Sequence, residues 1–457
     1  MNEIARRFYA ERDVRTLQYG ADTTVLERPV ALLVGIDATG RAAQVAALAL
    51  VNMLARVHRR LHLVVPPADL QARALIDAPT LADALFAMAT AINPVLDLTT
   101  APMSASIPTN AITIGIGTDL PDELDIYLGW NGGRGEIAAV PCRCPSTGPE
   151  EHILGAATAA CLAAAMAFRA AHGSTIRPTR LNLLERTADA DAGTTSRTSP
   201  IDVGRVLVVG AGAVSQALFY WLREIGVVGT WDVVDADLTE LHNTNRCLGT
   251  TAADAGWPDA LPNGEQRHKA SITAGLTGAQ EHLYWLDTWP DLADAPRYDL
   301  VLPLANERGV RAEVAALGQP VLLHATTSSN WTAELHRHIP DRDDCPACRI
   351  PTAPTGSFLC GTGPAIPTTL GSPDAALPFL SAAAGLLLAS ALLELREESR
   401  LITGRQNHWR LHLELGHRLW QSAIHPNDGC PHTLPPEARQ ILHTPTPGRW
   451  STIDPAM

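Results

Sequence analysis

Residues between 210 and 269 combine backbone and side-chain groups suited to hold a nucleotide. Gly210 and Gly212 follow the apolar run "RVLVV" and open an amphipathic segment, where small residues let the backbone approach a phosphate. Asp235 ends the next apolar run and offers a carboxylate to ribose hydroxyls. Downstream lies Lys269, the single lysine in a chain with 34 arginines. A glycine turn that lacks its third glycine is a weak signal alone, so its neighbours decide its meaning.

A second chemical motif is Cys345-Pro-Ala-Cys348, in which a tight turn brings two thiolates to one metal ion. A structural metal knuckle and a redox pair both fit this spacing. Cys142 and Cys144, one residue apart, stay unassigned, with a second metal half-site as the minor alternative.

Composition limits the class of protein. The net charge of −13, without a basic run, argues against nucleic-acid binding. The N-terminus has no apolar secretory signal, and the cysteines are not spaced as a disulfide framework, so we expect a reducing, cytoplasmic location. The uncharged segment 375–393 has the length of a membrane span, but its acidic flank favours a buried core helix, and no membrane partner is expected.

The elements that position these motifs occur twice. An apolar run, a glycine turn and an amphipathic segment begin at residue 28 and again at residue 204, and a small-residue helix ends each half. Residues 186–202 are rich in Ala, Asp, Thr and Ser and predict a linker. We therefore predict an α/β fold of two Rossmann-like domains, 1–185 and 203–457, related as a pseudo-repeat; two unrelated Rossmann-like domains are the alternative.

The first half is predicted not to bind a nucleotide. Asp37 stands where the second half has Gly212, and a carboxylate there repels a phosphate. The first half also lacks an acid at the end of its next strand, "LHLVVPP".

The order of motifs in the second half resembles the ThiF/MoeB/ubiquitin-activating family of adenylating enzymes. The motifs are the glycine turn, Asp235 with Asp237, "NTNR" at 243–246, Lys269 and "CPAC". The resemblance covers about residues 203–432, and the first half is similar to the inactive adenylation-like domain of larger members. It implies ATP and Mg²⁺ as cofactors and adenylation of the C-terminal carboxylate of a ubiquitin-like protein, sulfur carrier or peptide.

The resemblance also assigns roles to residues. Gly210 and Gly212 match the turn on the phosphate side, and Asp235, with Asp237 close by, matches the acid that binds ribose. Asn243 and Arg246 match a family pair near the phosphates, where the arginine fork fits phosphate oxygens. Lys269 matches the lysine that contacts the ATP phosphates as a compact charge.

The sequence departs from the family pattern at several positions. Asn306 stands in place of an acidic Mg²⁺ ligand and brings no charge, although Glu307 follows it. Cys247 replaces a glutamine. The family takes one more arginine from the N-terminus of the partner domain, for which Arg12 and Arg15 are equal candidates.

The resemblance extends to the metal and the nucleophile. It implies a zinc site made by Cys345, Cys348, Cys430 and either His432 or His425, and this favours structural zinc over a redox pair. Cys360 falls where several members have an acyl-accepting cysteine; a buried structural cysteine is an equal alternative.

These features predict an enzyme in which Arg246 and Lys269 neutralise phosphate charge, Asn306 takes the Mg²⁺ position and Cys360 accepts the acyl group. The expected partners are a ubiquitin-like or small carrier protein, or a peptide, and a downstream conjugating enzyme. A homodimer or an intramolecular pseudo-dimer completes the site. The alternatives are a non-catalytic binding protein with the adenylation fold, favoured by Asn306, and an NAD-dependent oxidoreductase, favoured only by the glycine turn.

Overall fold

The structure is a computed structural model of the 457-residue chain. It describes residues 2–17, 23–101, 106–140, 153–188, 200–258, 265–290, 298–305, 310, 313–314, 319, 321–328, 331–340, 342–349, 377–395, 399–413, 418–426 and 450.

The first half forms a sheet that is parallel on one side and antiparallel on the other. Its strands are β1 (Val30–Val34), β2 (Arg60–Val64), β3 (Asp97–Ala101), β4 (Ile112–Ile116), β5 (Ile126–Asn131), β6 (Arg134–Ala138), β7 (Thr179–Asn182) and β8 (Thr187–Ala188). Their spatial order is β3-β2-β1-β4-β5-β6-β7-β8, parallel from β3 to β5 and antiparallel from β5 to β8.

The second half repeats this topology strand for strand. Its strands are β9 (Ile201–Val209), β10 (Val227–Val234), β11 (Gln280–His282), β12 (Leu300–Pro303), β13 (Leu322–Thr327), β14 (Thr332–His338), β15 (His408–His412) and β16 (Arg418–Ser422). The order is β11-β10-β9-β12-β13-β14-β15-β16, with the change from parallel to antiparallel at the equivalent place. The predicted fold class, two similar Rossmann-like α/β domains, is confirmed.

Helices connect the strands and cover the sheets. The described helices are α1 (Glu3–Arg12), α2 (Val14–Leu17), α3 (Thr23–Leu26), α4 (Arg41–Val57), α5 (Leu81–Ile92), α6 (Ile153–Ala171), α7 (Ala213–Leu222), α8 (Lys269–Gly275), α9 (Pro346–Arg349), α10 (Pro378–Leu393) and α11 (Arg400–Thr403). Short 3₁₀ helices lie at Leu241–Asn245, Ala253–Ala255 and Leu286–Thr288.

The two halves share one hydrophobic core. Helix α6 of the first half packs on α4 and also on α10 of the second half, and α10 packs on α7. At Gly385 of α10, an added Cβ would lie 2.6 Å from the backbone nitrogen of Leu218 in α7, so glycine permits this close approach. The halves are therefore joined through helices that are apolar on most sides.

Two apolar helices lie in this core. Helix α6 is long and apolar enough to cross a membrane by length and composition, yet 94% of its most apolar window is buried. Helix α10, from the segment 375–393 predicted as a core helix, is buried along nearly its whole length. Small residues on both helices allow this packing.

The segment 186–202, predicted as a linker, has ordered ends. Thr187 and Ala188 form β8, and β9 begins at Ile201, while residues 189–199 lie outside the described part of the chain.

Candidate active site

The glycine turn and Asp235 meet at the carboxyl edge of the second sheet. Gly210 directly follows β9 and has φ +94°, and an added Cβ there would lie 2.6 Å from the backbone of Ala305 after β12. The carboxylate of Asp235, after the adjacent β10, accepts a hydrogen bond from the Ala211 backbone nitrogen at 2.6 Å. Gly212 begins α7, and an added Cβ there would meet open space. This edge is the switch point at which doubly wound sheets bind ligands.

Asp235 is held in place by the backbone around it. Its second oxygen accepts from the Asp237 nitrogen at 2.8 Å. Burial raises the pKa of Asp235, although these backbone hydrogen bonds and the charge of Lys269 act in the opposite direction.

The equivalent turn of the first half is filled by its own side chain. The Asp37 carboxylate accepts hydrogen bonds from the backbone nitrogen of Thr118, at 2.9 Å, and from its hydroxyl, at 2.6 Å. Burial acts to raise the pKa of Asp37, but the bonds from Thr118 outweigh it and the pKa is lowered. An added Cβ at Gly35 or Gly117 would lie within 2.6 Å of this carboxylate, so it occupies the place of an anion. This arrangement supports the prediction that the first half binds no nucleotide.

Lys269 lies beside Asp237, two residues after Asp235. It is the first residue of α8, and its ammonium group donates to the Asp237 carboxylate at 2.6 Å. Burial acts to lower the pKa of Lys269, but the hydrogen bond and charge of Asp237, with the charge of Asp235, outweigh it and raise the pKa. Lys269 is therefore a charged, mostly covered ammonium group, with 13% of its side chain exposed.

The "NTNR" segment forms a 3₁₀ turn beside these residues. The Asn243 side chain accepts from the Glu240 backbone nitrogen at 2.8 Å and so caps the turn. Arg246 donates to the backbone oxygen of His242 at 2.9 Å and to the Asn245 side chain at 3.1 Å. In this structure Asn243 shapes the loop that carries Arg246, a role that differs from the phosphate contact the resemblance implies.

The charges of three cations act on His242, whose ring nitrogen Nδ1 also lies 3.0 Å from the Glu240 carboxylate. Burial and then the charges of Arg246, Arg15 and Lys269 lower the pKa of His242 to about 3, so this imidazole is neutral at physiological pH. These cations come from three separate parts of the sequence and from both halves of the chain.

The structure separates the two arginine candidates of the N-terminus. Arg12 is fully buried and its guanidinium donates to Asp13 at 2.6 Å and to the backbone oxygen of Ala55 at 3.1 Å. Arg15 is half-buried in α2, which packs on the turn 241–245, where Asn245 donates to Thr16 at 3.1 Å. Arg15 is therefore the candidate that the fold places near His242.

The first half also supplies an arginine that sequence reasoning missed. Arg56 of α4 is fully buried, and its nitrogens donate to Asn52 and to backbone oxygens in the segment 244–250 of the second half, at distances from 2.6 to 3.0 Å. Burial lowers the pKa of Arg56 to about 9, which leaves it charged at neutral pH. The signal in the sequence is an Asn and an Arg at i and i+4 on an otherwise apolar helix.

Several predicted residues lie outside the described part of the chain. They are Asn306, Glu307, Cys360, Cys430, His432, Cys142 and Cys144. Cys247, in the family's glutamine position, is buried, and its backbone nitrogen donates to the Asn243 backbone oxygen at 3.0 Å.

The two cysteines of the "CPAC" motif have the geometry of a metal knuckle. Their sulfur atoms are 3.4 Å apart, and the Cys348 backbone nitrogen lies 3.2 Å from the Cys345 sulfur. Two thiolates that share a zinc ion by bonds of about 2.3 Å are separated by about 3.8 Å. The pair therefore fits two positions of a zinc site, whose other predicted ligands are not described, apart from His425.

A zinc ion at this pair should contribute more to folding than to catalysis. Cys345→Ser should lose about one metal ion per chain relative to the unmodified chain and should lower the unfolding midpoint, because structural zinc binding stabilises the folded state. Elemental analysis with thermal unfolding measures both. Cys161→Ser, at a cysteine buried in α6, controls for the loss of a thiol alone. An unmodified chain that is fully folded without metal would contradict this prediction.

Comparisons with known proteins give one family match. Residues 29–183 match the family described as BilD N-terminal domain, a span that runs from β1 past β7. No curated protein sequence matches the chain.

Comparison with solved structures gives weak similarities. E. coli MccB with MccA-N7isoASN aligns with 67% of this chain and 97% of its own, at 10% identity and a TM-score of 0.36. E. coli MccB with ATP aligns over the same shares at 11% identity and a TM-score of 0.35. Selenomethionine PaaA aligns with 48% of this chain and 73% of its own, at 12% identity and a TM-score of 0.31. All these TM-scores are below 0.5.

Proposed function

We propose that the chain is an ATP-dependent enzyme that adenylates the C-terminal carboxylate of a ubiquitin-like protein, sulfur carrier or peptide. Residues 203–457 are proposed as the adenylating domain and residues 1–185 as the partner domain, and the segment 186–202 between them supplies β8 to the first sheet and the start of β9 to the second. The observation that carries this proposal is the open glycine turn, where the Asp235 carboxylate meets the Ala211 backbone nitrogen and the Lys269 ammonium group meets Asp237. Arg246 and Arg15, whose charges act on His242, add cations of the kind that bind phosphate oxygens.

The proposed reaction is the transfer of the adenylyl group of ATP to a carboxylate. A carboxylate oxygen of the substrate attacks the α-phosphorus of ATP, the bond to the leaving oxygen breaks, and an acyl adenylate and pyrophosphate form. Asp235 and the Gly210 turn orient the ribose and phosphates. Lys269 and Arg246 stabilise the negative charge that grows on the departing pyrophosphate, and Arg15 adds charge from the partner domain.

Two proposed roles fall on residues outside the described part of the chain. Mg²⁺ would supply charge neutralisation at the phosphate oxygens, and Asn306 is the residue proposed to hold it, with Glu307 as a second oxygen donor. Cys360 is proposed to take the acyl group from the adenylate as a thioester, with release of AMP.

Two other classes of function make different use of the same edge. An oxidoreductase binds NAD at such a turn. The phosphates of NAD can be held by the turn itself, without Lys269 and Arg246 of the second half or Arg15 of the first. A non-catalytic binding protein would keep the fold and lose the reaction, and the neutral Asn306 favours it.

Nucleotide preference and exchange together test the proposal. Calorimetry with Mg²⁺ should detect ATP binding and no NAD binding, and a small protein ending in glycine should support ATP–pyrophosphate exchange. Asn306→Asp should raise the exchange rate, because an added carboxylate binds Mg²⁺ better. In Cys360→Ala, exchange should persist while a thiol-sensitive adduct disappears.

The outcomes separate the alternatives. Binding of NAD in preference to ATP would identify an oxidoreductase. ATP binding without exchange in the unmodified chain and in Asn306→Asp would identify a binding protein. Gly212→Asp, which installs the residue found at Asp37 in the first half, is the matched control and should abolish ATP binding.

A further inference from the structure

A row of histidines crosses the antiparallel part of the second sheet, away from the nucleotide edge. His324 of β13, His336 of β14 and His408 of β15 are direct cross-strand neighbours. Their rings stack, with centroids 4.4 Å apart for His324 and His336 and 4.5 Å apart for His336 and His408. All are buried, with at most 8% of the residue surface exposed. A buried sheet face normally carries apolar side chains, because unpaired polar groups there are costly.

Two of these imidazoles converge on one carboxylate oxygen. Glu334, two residues before His336 and on the same face, places Oε2 at 3.1 Å from His408 Nε2 and 3.5 Å from His336 Nε2. One ligand atom from each of the three residues lies within 4.8 Å of the others. A tetrahedral ion with bonds of about 2.0–2.1 Å separates its ligand atoms by about 3.3 Å. The distances to the carboxylate already match that separation.

The surrounding residues orient two of the three ligands, Glu334 and His408, and because the His336 and His408 rings are stacked, one ring must turn for both Nε2 atoms to face a shared ion. Glu334 Oε1 accepts from Arg410 at 2.8 Å and from Thr332 at 3.1 Å, which fixes the carboxylate and leaves Oε2 to the imidazoles. His408 Nδ1 lies 3.1 Å from the Ser422 hydroxyl, which directs its Nε2 toward Glu334. Outer contacts of this kind orient the ligands of metal sites.

We propose that Glu334, His336 and His408 bind one divalent first-row transition ion, with Zn²⁺ as the expected occupant. Two imidazoles and one carboxylate suit this class of ion, whereas Mg²⁺ prefers oxygen ligands alone. Three protein ligands leave one coordination position for water or a further ligand. The site differs in its residues and its ligand chemistry from the cysteine pair and from the nucleotide edge, and it does not depend on the proposed adenylation.

Cobalt binding to the full chain separates this site from the cysteine pair. Co²⁺ held by thiolates shows charge-transfer absorption in the near ultraviolet, whereas Co²⁺ held by imidazole and carboxylate shows only visible bands. Glu334→Gln and His336→Gln should each weaken Co²⁺ binding at the imidazole–carboxylate site by at least about a hundredfold. Loss of a residue that only orients a metal ligand already costs about ten- to hundredfold in affinity, and these substitutions remove a ligand itself. The thiolate bands should remain.

His282→Gln is the matched control. His282 also meets a carboxylate, Asp232, at 2.9 Å, and no second imidazole is grouped with this pair among the described residues. Its Co²⁺ titration should equal that of the unmodified chain. Added Zn²⁺ should raise the melting temperature of the unmodified chain more than that of Glu334→Gln. Equal metal content, equal cobalt spectra and equal thermal shifts in Glu334→Gln and the unmodified chain would overturn the proposal, as would a loss caused equally by His282→Gln.

Discussion

Lys269→Ala should slow ATP–pyrophosphate exchange by roughly a hundredfold, which corresponds to on the order of 3 kcal/mol of transition-state stabilisation. The ammonium group is charged and mostly covered, with 13% of its side chain exposed, and it pairs with Asp237, two residues after Asp235. ATP binding should weaken less than exchange, because the charge on pyrophosphate grows as the bond breaks. Lys269→Arg should recover only part of the rate, since the planar guanidinium group of arginine does not have the compact shape of the lysine ammonium group.

Arg267→Ala is the control for this substitution. Arg267 lies two residues before Lys269 and pairs with Asp254 at 2.7 Å. About half of the Arg267 side chain is exposed, so the variant removes a cation that is paired with a carboxylate but lies at the surface. Its exchange rate should stay near that of the unmodified chain.

Because Lys269 is the single lysine, an amine-reactive ATP analogue should label it and the N-terminal amine alone, and excess ATP should protect Lys269. Near-normal exchange in Lys269→Ala, or labelling that ATP does not reduce, would place the nucleotide elsewhere.

Arg56→Leu should lower the free energy of unfolding by roughly 3 to 5 kcal/mol. The substitution removes the arginine donor from the Asn52 side-chain oxygen and from the buried backbone oxygens of Thr244 and Thr250, whereas the Leu248 oxygen keeps the Asn52 amide at 3.1 Å. Urea unfolding measures the loss. Exchange should fall as well, because the same oxygens belong to the loop that carries Arg246.

Arg60→Leu provides the comparison. Arg60 lies four residues later on β2, is about half exposed and meets Glu27 and Asp97 at 3.6 and 3.8 Å. Removing such surface pairs costs less than about 1 kcal/mol. If Arg56→Leu proved as mild as Arg60→Leu, the oxygens around Arg56 would have other donors and the arginine would not hold the halves together.

The sequence alone predicted the features that depend on neighbouring residues. Apolar runs followed by glycine turns and amphipathic segments predicted the two similar domains, because strand and helix periodicity is local. The small residues of 375–393 and their acidic flank predicted a core helix, and the structure has one. The site at Gly210, Asp235 and Lys269 was predicted from motif order, and these residues lie at one sheet edge, although their roles stay predictions.

The tertiary structure alone decided which distant groups meet. Arg12 and Arg15 are equal in the sequence, but the packing of α1 and α2 buries one against Asp13 and places the other near His242. Arg56 contacts the loop nearly 190 residues away only because the halves pack through shared helices. The alternation of Glu334 and His336 predicts one strand face, yet His408 joins them through strand pairing. Such contacts depend on register and docking between segments, which local periodicity does not contain.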